Sequence, residues 1–148
     1  MADKYVCNAD AVALAAATAK TVLQIATPST TRARVCQLVV GFDGVTAANP
    51  PVLVELLRQT TAGTMTAQTP APLDSAAPTS LATGSKNASA EPTAGTVLWT
   101  WRLTPVGGVL VIPFYGDEQP VMPVSGFMGI RCTASAIVNV NASLIFLV

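Results

Sequence analysis

The sequence predicts an all-β protein, specifically a jelly-roll-like β-sandwich of about eight strands with an extended N-terminal arm. Two observations favour this fold class. Helical periodicity is weak after residue 20, and short β-branched runs recur between Gly, Pro, Asn and Asp residues. A length of 148 residues suits one core. We therefore expect an arm at residues 1–19 and a single β-sandwich domain at residues 20–148.

The arm is rich in alanine, so its helix propensity would permit a short helix. An isolated helix of this length is marginally stable in water. We therefore expect residues 1–19 to become ordered only on a partner and to contribute nothing to the sheet. Asp3 and Asp10 stand where a secretory signal would be basic, so no export signal is expected.

The strands predicted before a long connection are bounded by turn signals such as Thr27-Pro28 and Asp43-Gly44. In the third of them, Val52, Val54 and Leu56 share one face while Glu55 lies on the other. This alternation is typical of a strand with one buried face. The predicted ranges are 20–26, 34–42 and 52–60.

The long connection covers residues 61–95 and is rich in Pro, Ala, Ser and Thr. Connections of this length are usually functional or disordered. At most one short strand, near residues 65–69, is expected within it.

The strands predicted after the connection lie at 96–104, 109–114, 121–124, 127–133 and 137–147. Gly107-Gly108 indicates a hairpin turn between the first two. In the last, Val138 and Val140 alternate with Asn139 and Asn141. The chain then becomes apolar on both faces at 144–148, so this segment must be covered.

The composition predicts self-association. Hydrophobic residues make up 51% of the chain. Charged residues make up 11%, which is well below their usual share in a soluble domain. Large exposed apolar patches promote association, so an oligomer of this chain is expected. Eight basic and eight acidic residues balance without a basic cluster, so a nucleic-acid partner is not expected. No apolar run is long enough to span a membrane.

No catalytic or metal site is expected, because the chain contains no histidine. Its three cysteines are widely spaced, so neither a disulfide framework nor a zinc site is indicated. A glycosidase would need two carboxylates close together. The candidates, Asp43, Asp74, Asp117 and Glu118, lie in predicted turns or in the connection. We therefore expect no enzyme activity, no cofactor and no small-molecule substrate.

The strand at 96–104 carries both tryptophans, Trp99 and Trp101, on one face together with Val97 and Leu103. A ligand platform normally places polar groups beside its aromatic side chains, whereas this stripe is apolar. The pattern therefore favours core or a subunit seam for Trp99, Trp101 and Phe146. The alternative is a carbohydrate- or receptor-binding module that uses Trp99, Trp101 or Tyr115.

Several segments together resemble head decoration, or auxiliary capsid, proteins of tailed bacteriophages. They are Thr27-Pro28, Phe42-Asp43-Gly44, PPVLVELLRQTTAGT at 50–64, PLD at 72–74 and EPTAGTVLWTW at 91–101. The resemblance implies a jelly-roll-like protein, commonly trimeric, that sits outside the head near local threefold positions and clamps neighbouring capsomers.

We accordingly expect a virion protein on the capsid exterior, made in the host cytoplasm, whose partner is the major capsid protein. The arm and the long connection are the predicted capsid-facing parts. Their candidate contact residues are Tyr5, Val12, Pro70, Pro72, Leu73 and Asp74.

Overall fold

A computed structural model describes residues 2–148 as two antiparallel β-sheets that pack face to face. The strands are β1 (Lys4–Leu14), β2 (Ala19–Ala26), β3 (Ala33–Phe42), β4 (Val52–Gln59), β5 (Thr64–Gln68), β6 (Ala71–Pro72), β7 (Thr83–Ala90), β8 (Ala94–Leu103), β9 (Val109–Pro113), β10 (Val121–Met122), β11 (Phe127–Thr133) and β12 (Val138–Leu147). Sheet 1 has the order β6-β1-β12-β3, and both β9 and β10 pair with the far edge of β3. Sheet 2 has the order β5-β7-β2-β11-β4-β8.

The connectivity is that of a jelly roll, in which consecutive long strands are divided between the two sheets. Strands β1, β12, β3 and β9 form the main part of sheet 1, and β2, β11, β4 and β8 form the matching part of sheet 2. The inserted strands β5, β6 and β7 extend the sheets beyond β1 and β2. The predicted all-β sandwich is therefore confirmed.

The core lies between the sheets and is formed by alternate residues of each strand. In β4, Val52, Val54 and Leu56 are buried in it, as the sequence pattern predicts. Leu144 and Phe146 of β12 are fully buried from the opposite sheet. Burying a side chain of this size contributes about 1.5–3 kcal/mol, so apolar packing between the sheets stabilises the sandwich.

The prediction of an N-terminal arm was wrong, because β1 lies inside sheet 1 between β12 and β6. Tyr5, Cys7 and Ala9 alternate into the core, and Val12 and Leu14 continue after a bulge. Alanine has weak sheet propensity and occurs both in cores and on surfaces. The many alanines of β1 therefore hid the alternation of buried and exposed positions. The bulge itself shifts the period by one residue.

The prediction that residues 61–95 contain at most one short strand was also wrong. They form β5, β6 and β7 and the first residues of β8. Strand β7 has the sequence TGSKNASA, which lacks β-branched residues apart from Thr83. It is held instead by ladders to β2 and β5 on its two sides. Tertiary pairing here overrides intrinsic propensity.

Two connecting segments, residues 60–63 and 91–93, run side by side across the outer face of sheet 2. The Thr60 backbone N–H donates to the Thr93 carbonyl at 3.0 Å, and the Thr93 N–H donates to Thr61 Oγ1 at 2.9 Å. Leu57 of β4 is fully buried although it does not belong to the core between the sheets. The outer face of sheet 2 is therefore covered at Leu57.

A polar network fixes this crossing to the sheet. The Glu91 carboxylate accepts hydrogen bonds from the Thr21 backbone N–H at 2.8 Å and from Thr21 Oγ1 at 2.7 Å. Gln59 Nε2 donates to Thr21 Oγ1 at 2.9 Å, and Gln24 Nε2 donates to Gln59 Oε1 at 2.7 Å. Within residues 2–148 no buried side-chain nitrogen or oxygen lacks a partner, as expected where desolvation of an unpaired polar group is costly.

Candidate functional site

Two of the predicted capsid contacts, Tyr5 and Val12, are core residues of β1. Each exposes only 3% of its surface. The Tyr5 ring stacks on Phe146 with centroids 6.0 Å apart, and its hydroxyl donates to the Pro78 carbonyl at 3.0 Å. A docking partner cannot reach either side chain, so the prediction that they contact the capsid was wrong.

The other predicted contacts lie around β6, at the edge of sheet 1. Pro70 is buried, whereas Pro72, Leu73 and Asp74 are exposed. The Leu73 N–H donates to the Lys4 carbonyl at 2.9 Å, and Asp74 Oδ1 accepts from the Ala76 N–H at 2.9 Å. The segment is therefore an ordered turn on a sheet edge. Its role in docking stays a prediction for the three exposed residues.

The jelly-roll connectivity brings four loops together at one end of the sandwich, which we call the loop end. The loops are residues 15–18, 43–51, 104–108 and 134–137. Backbone contacts join them: the Ala17 N–H donates to the Ala134 carbonyl at 2.7 Å, and Gly44 packs so closely on Pro105 that a Cβ would clash. Residues of the 43–51, 104–108 and 134–137 loops also line one small pocket, so the four loops form one continuous surface.

The loop end exposes large apolar side chains from three different loops. Val45 is 91% exposed, Ile137 is 78% exposed and Val106 is 36% exposed. The 15–18 and 43–51 loops also carry exposed alanines. Apolar groups concentrated at one place on a surface are typical of a contact site for another protein.

Charge is almost absent from the loop end. Asp43 is the one charged residue in its four loops. The Asp43 carboxylate accepts from the Asn139 side-chain amide at 2.8 Å and from the Asn139 N–H at 3.0 Å. The hydrogen bond from the Asn139 side chain is the main reason why the pKa of Asp43 lies below its usual value. This anion is therefore engaged within the fold.

A groove, which we call the edge groove, lies between β8 and the segment from Ile112 to Val121. It is an open groove with a volume of about 680 Å³, and it is lined in part by Arg58, Trp99, Trp101, Phe114, Asp117 and Glu118. Trp99 is 37% exposed and packs against Phe114, with ring centroids 5.0 Å apart and an interplanar angle of 46°. Trp101 is half-buried and packs against the core.

The three residues predicted as core or subunit seam therefore have different positions. Phe146 is fully buried in the core, Trp101 packs partly against it, and Trp99 lines the edge groove. A 3₁₀ turn at Gly116–Glu118 brings polar side chains opposite the tryptophans. The apolar stripe in β8 gave no sign of these neighbours, because they come from a different part of the chain.

The carboxylates considered for sugar hydrolysis fall into three separate places. Asp43 lies at the loop end, Asp74 lies beside β6, and Asp117 and Glu118 are neighbours in the 3₁₀ turn of the edge groove. Within residues 2–148, no group of three or more His, Cys, Asp and Glu side chains is arranged to hold a metal ion. None of the helical segments in that part of the chain has the length and apolarity of a membrane span.

Comparisons of the chain with protein-family models, with curated proteins and with solved structures found no match. The sequence did not predict the loop end, although the shortage of charged residues in its four loops can be read from the sequence. Their convergence depends on strand order, which the local pattern does not encode.

Proposed function

We propose that the protein is a structural virion protein that decorates the outside of a tailed-phage head and stabilises the capsid lattice. The observation that carries this proposal is the loop end, which combines exposed Val45, Val106 and Ile137 with no unengaged charge in its four loops. Such a surface fits a partner with apolar and neutral polar groups. The resemblance of the sequence to head decoration proteins supports the same partner, the major capsid protein.

The mechanism is linkage. A protein that binds the assembled lattice, and not its separated subunits, lowers the free energy of the assembled state by an amount that grows with its concentration. No covalent chemistry is needed. Decoration should therefore raise the temperature at which heads open and release DNA, in proportion to occupancy.

The proposed docking surface predicts binding that is insensitive to salt. At about 1 M ionic strength the Debye length falls to roughly 3 Å, which weakens charge-driven contacts between exposed groups. Apolar contacts persist or strengthen under these conditions. Purified protein added to undecorated heads should bind at a saturating, symmetry-related copy number and remain bound through a wash at 1 M NaCl.

The test compares aspartate substitutions at the two ends of the molecule. Val45→Asp combined with Ile137→Asp would place charges in a dehydrated contact, so binding to heads should weaken at least about tenfold. The matched control is Val124→Asp, which alters an exposed valine in the turn before β11, at the opposite end. Equal binding by both variants would show that the loop end is not the docking surface. Absence of the protein from native heads would contradict the proposed decoration function.

A further inference from the structure

The edge groove differs from the loop end in having charged and aromatic groups together. Trp99, Trp101 and Phe114 supply aromatic surface, while Arg58, Asp117 and Glu118 supply charge. Its volume of about 680 Å³ lies within the range of about 300–1,000 Å³ found for small-ligand sites. The mixture of an apolar wall and a few convergent polar groups is typical of such sites.

The polar groups of the groove are free to bind a ligand. Among residues 2–148 the single ion pair joins Arg131 to Glu55, on the outer face of sheet 2. Asp117 and Glu118 are exposed and form no ion pair in that part of the chain. Arg58 donates one long hydrogen bond, from Nη2 to the Val121 carbonyl at 3.4 Å, which leaves most of its five donors unused.

We propose that the edge groove binds a neutral oligosaccharide, with a pyranose ring stacked on Trp99 and hydroxyl groups bonded to Asp117, Glu118 and Arg58. A sugar hydroxyl both donates and accepts hydrogen bonds. Its O–H can donate to the Asp117 and Glu118 carboxylates, and its oxygen can accept from the Arg58 guanidinium. One class of ligand can therefore bond both to the carboxylate acceptors and to the guanidinium donor of the groove.

A proline-rich peptide fits these groups less well. Such a peptide offers an apolar ridge to aromatic side chains, but its prolines have carbonyl acceptors and no N–H donors. Asp117 and Glu118 are themselves only acceptors when ionised. An anionic ligand would in turn be repelled, since the groove carries two carboxylates against one guanidinium. The balance therefore favours an uncharged ligand rich in hydroxyl groups.

The test uses intrinsic fluorescence, because both tryptophans of the chain lie in the groove. A glycan array identifies saccharides that bind, and maltohexaose, cellohexaose and chitohexaose are titrated in solution. At least one saccharide should change the emission saturably, with a dissociation constant below about 1 mM. A proline-rich peptide, used as a second probe, should give no saturable change.

Variants separate stacking from hydrogen bonding. Trp99→Ala should weaken saccharide binding about tenfold or more, and Trp99→Tyr should restore part of it, because an aromatic face remains. Asp117→Asn with Glu118→Gln, which changes exposed side chains and leaves the fold intact, should also weaken binding. Tyr115→Ala is the control, since Tyr115 is 71% exposed nearby but does not line the groove; it should leave binding unchanged within twofold.

Three results would overturn the proposal. They are the absence of saturable saccharide binding on the array and in solution, a fluorescence response to the peptide alone, and an oligomer that Trp99→Ala dissociates. The last result would identify the groove as a seam between copies of the chain. Head binding by Trp99→Ala is measured separately, so loss of saccharide binding with retained head binding leaves the decoration proposal standing.

Discussion

Gly84 in β7 marks a close approach between the inserted strands and the core. A Cβ at this position would clash with Cys7 Sγ and would lie 2.6 Å from the Gln68 carbonyl oxygen. The carbonyl belongs to the backbone, so it cannot move as a flexible side chain would. We expect Gly84→Ala to reduce the free energy of unfolding by about 1–3 kcal/mol, the usual cost of overpacking, as measured by urea denaturation.

Gly41→Ala is the matched control for this substitution. Gly41 also lies within a strand, but a Cβ there meets its neighbours only at 3.8 Å, an ordinary contact distance. Its unfolding free energy should change by less than about 0.5 kcal/mol. Equal stabilities for the two variants would show that the approach of β7 to Cys7 and Gln68 is not tight.

The thiols should differ in reactivity according to their burial. Burial raises the pKa of Cys7 to about 11 and that of Cys132 to about 12, so both stay protonated at pH 8 and unreactive. Cys36 is only half-buried, although burial raises its pKa as well. Titration of the native protein with a disulfide reagent at pH 8 should modify one thiol at most, and Cys36→Ser should abolish that reaction.

All three cysteines should react after unfolding in urea, which serves as the positive control. Rapid modification of Cys7 in the native state would contradict its place in the core. The wide spacing of the cysteines indicated no disulfide framework, and all three thiols are free. Cys7 lies in the range that was expected to be an arm, yet it is buried, and Cys36 lies at a bulge in β3 that the local sequence pattern does not show.

At the scale of elements, β1 is the strand whose position is most open to test. Val12 faces the core, while the adjacent Ala13 is exposed on the other side of the strand. Val12→Asp would bury an unpaired carboxylate and should destabilise the protein by more than about 3 kcal/mol. Ala13→Asp should change stability by less than about 1 kcal/mol. Thermal unfolding followed by circular dichroism measures both.

The two aspartate variants distinguish a strand from an arm. If residues 1–19 lay outside the sheet, both substitutions would leave the melting temperature unchanged. A large difference between neighbouring positions requires the alternation of a paired strand. Deleting residues 2–14 should abolish cooperative unfolding, because β12 would lose one of the two strands with which it pairs.

Elements with clear alternation and turn signals were predictable, and elements without them were not. Strand β4 was expected at 52–60 and lies at Val52–Gln59, because inward Val54 and outward Glu55 obey period two between Pro51 and Gly63. Strand β7 was missed, because its small polar residues carry no such pattern. Its pairing is decided by neighbours distant in the sequence, which local reasoning cannot supply.

At the scale of the whole molecule, the outer face of sheet 1 is the candidate surface for self-association. Val6, Val39 and Ile145 are half-buried there, and Val109 and Val111 of the edge strand β9 are exposed. An apolar sheet face of this kind favours contact with another copy.

The resemblance to head decoration proteins implies a trimer, so we predict a homotrimer in which this face is covered. Light scattering at micromolar concentration should give three copies, and the melting temperature should rise with protein concentration. Val111→Lys should dissociate the assembly, because it places a charge in the contact. Thr100→Lys, at an exposed position on the edge strand β8 of sheet 2, is the control. A monomer under these conditions would contradict the prediction.

The candidate sites show what a sequence can indicate about function in this molecule. Trp99 and Trp101 were singled out from their alternation in β8, but their polar neighbours Asp117 and Glu118 belong to a turn after β9. The loop end likewise combines four separated segments. In both cases the residues were visible and their proximity was not, since proximity follows from the order of strands in the two sheets.

The pairing of β1 with β12 also affects how the chain reaches its native state. Ser143 Oγ donates to Asn8 Oδ1 at 2.7 Å across 135 residues of sequence. Folding slows as contacting residues become more distant along the chain, and all-β proteins of this kind fold in about milliseconds to seconds. During synthesis, β1 emerges before β12 and must wait for it. Sheet 1 should therefore close only once β12 has been made, as a late and cooperative step.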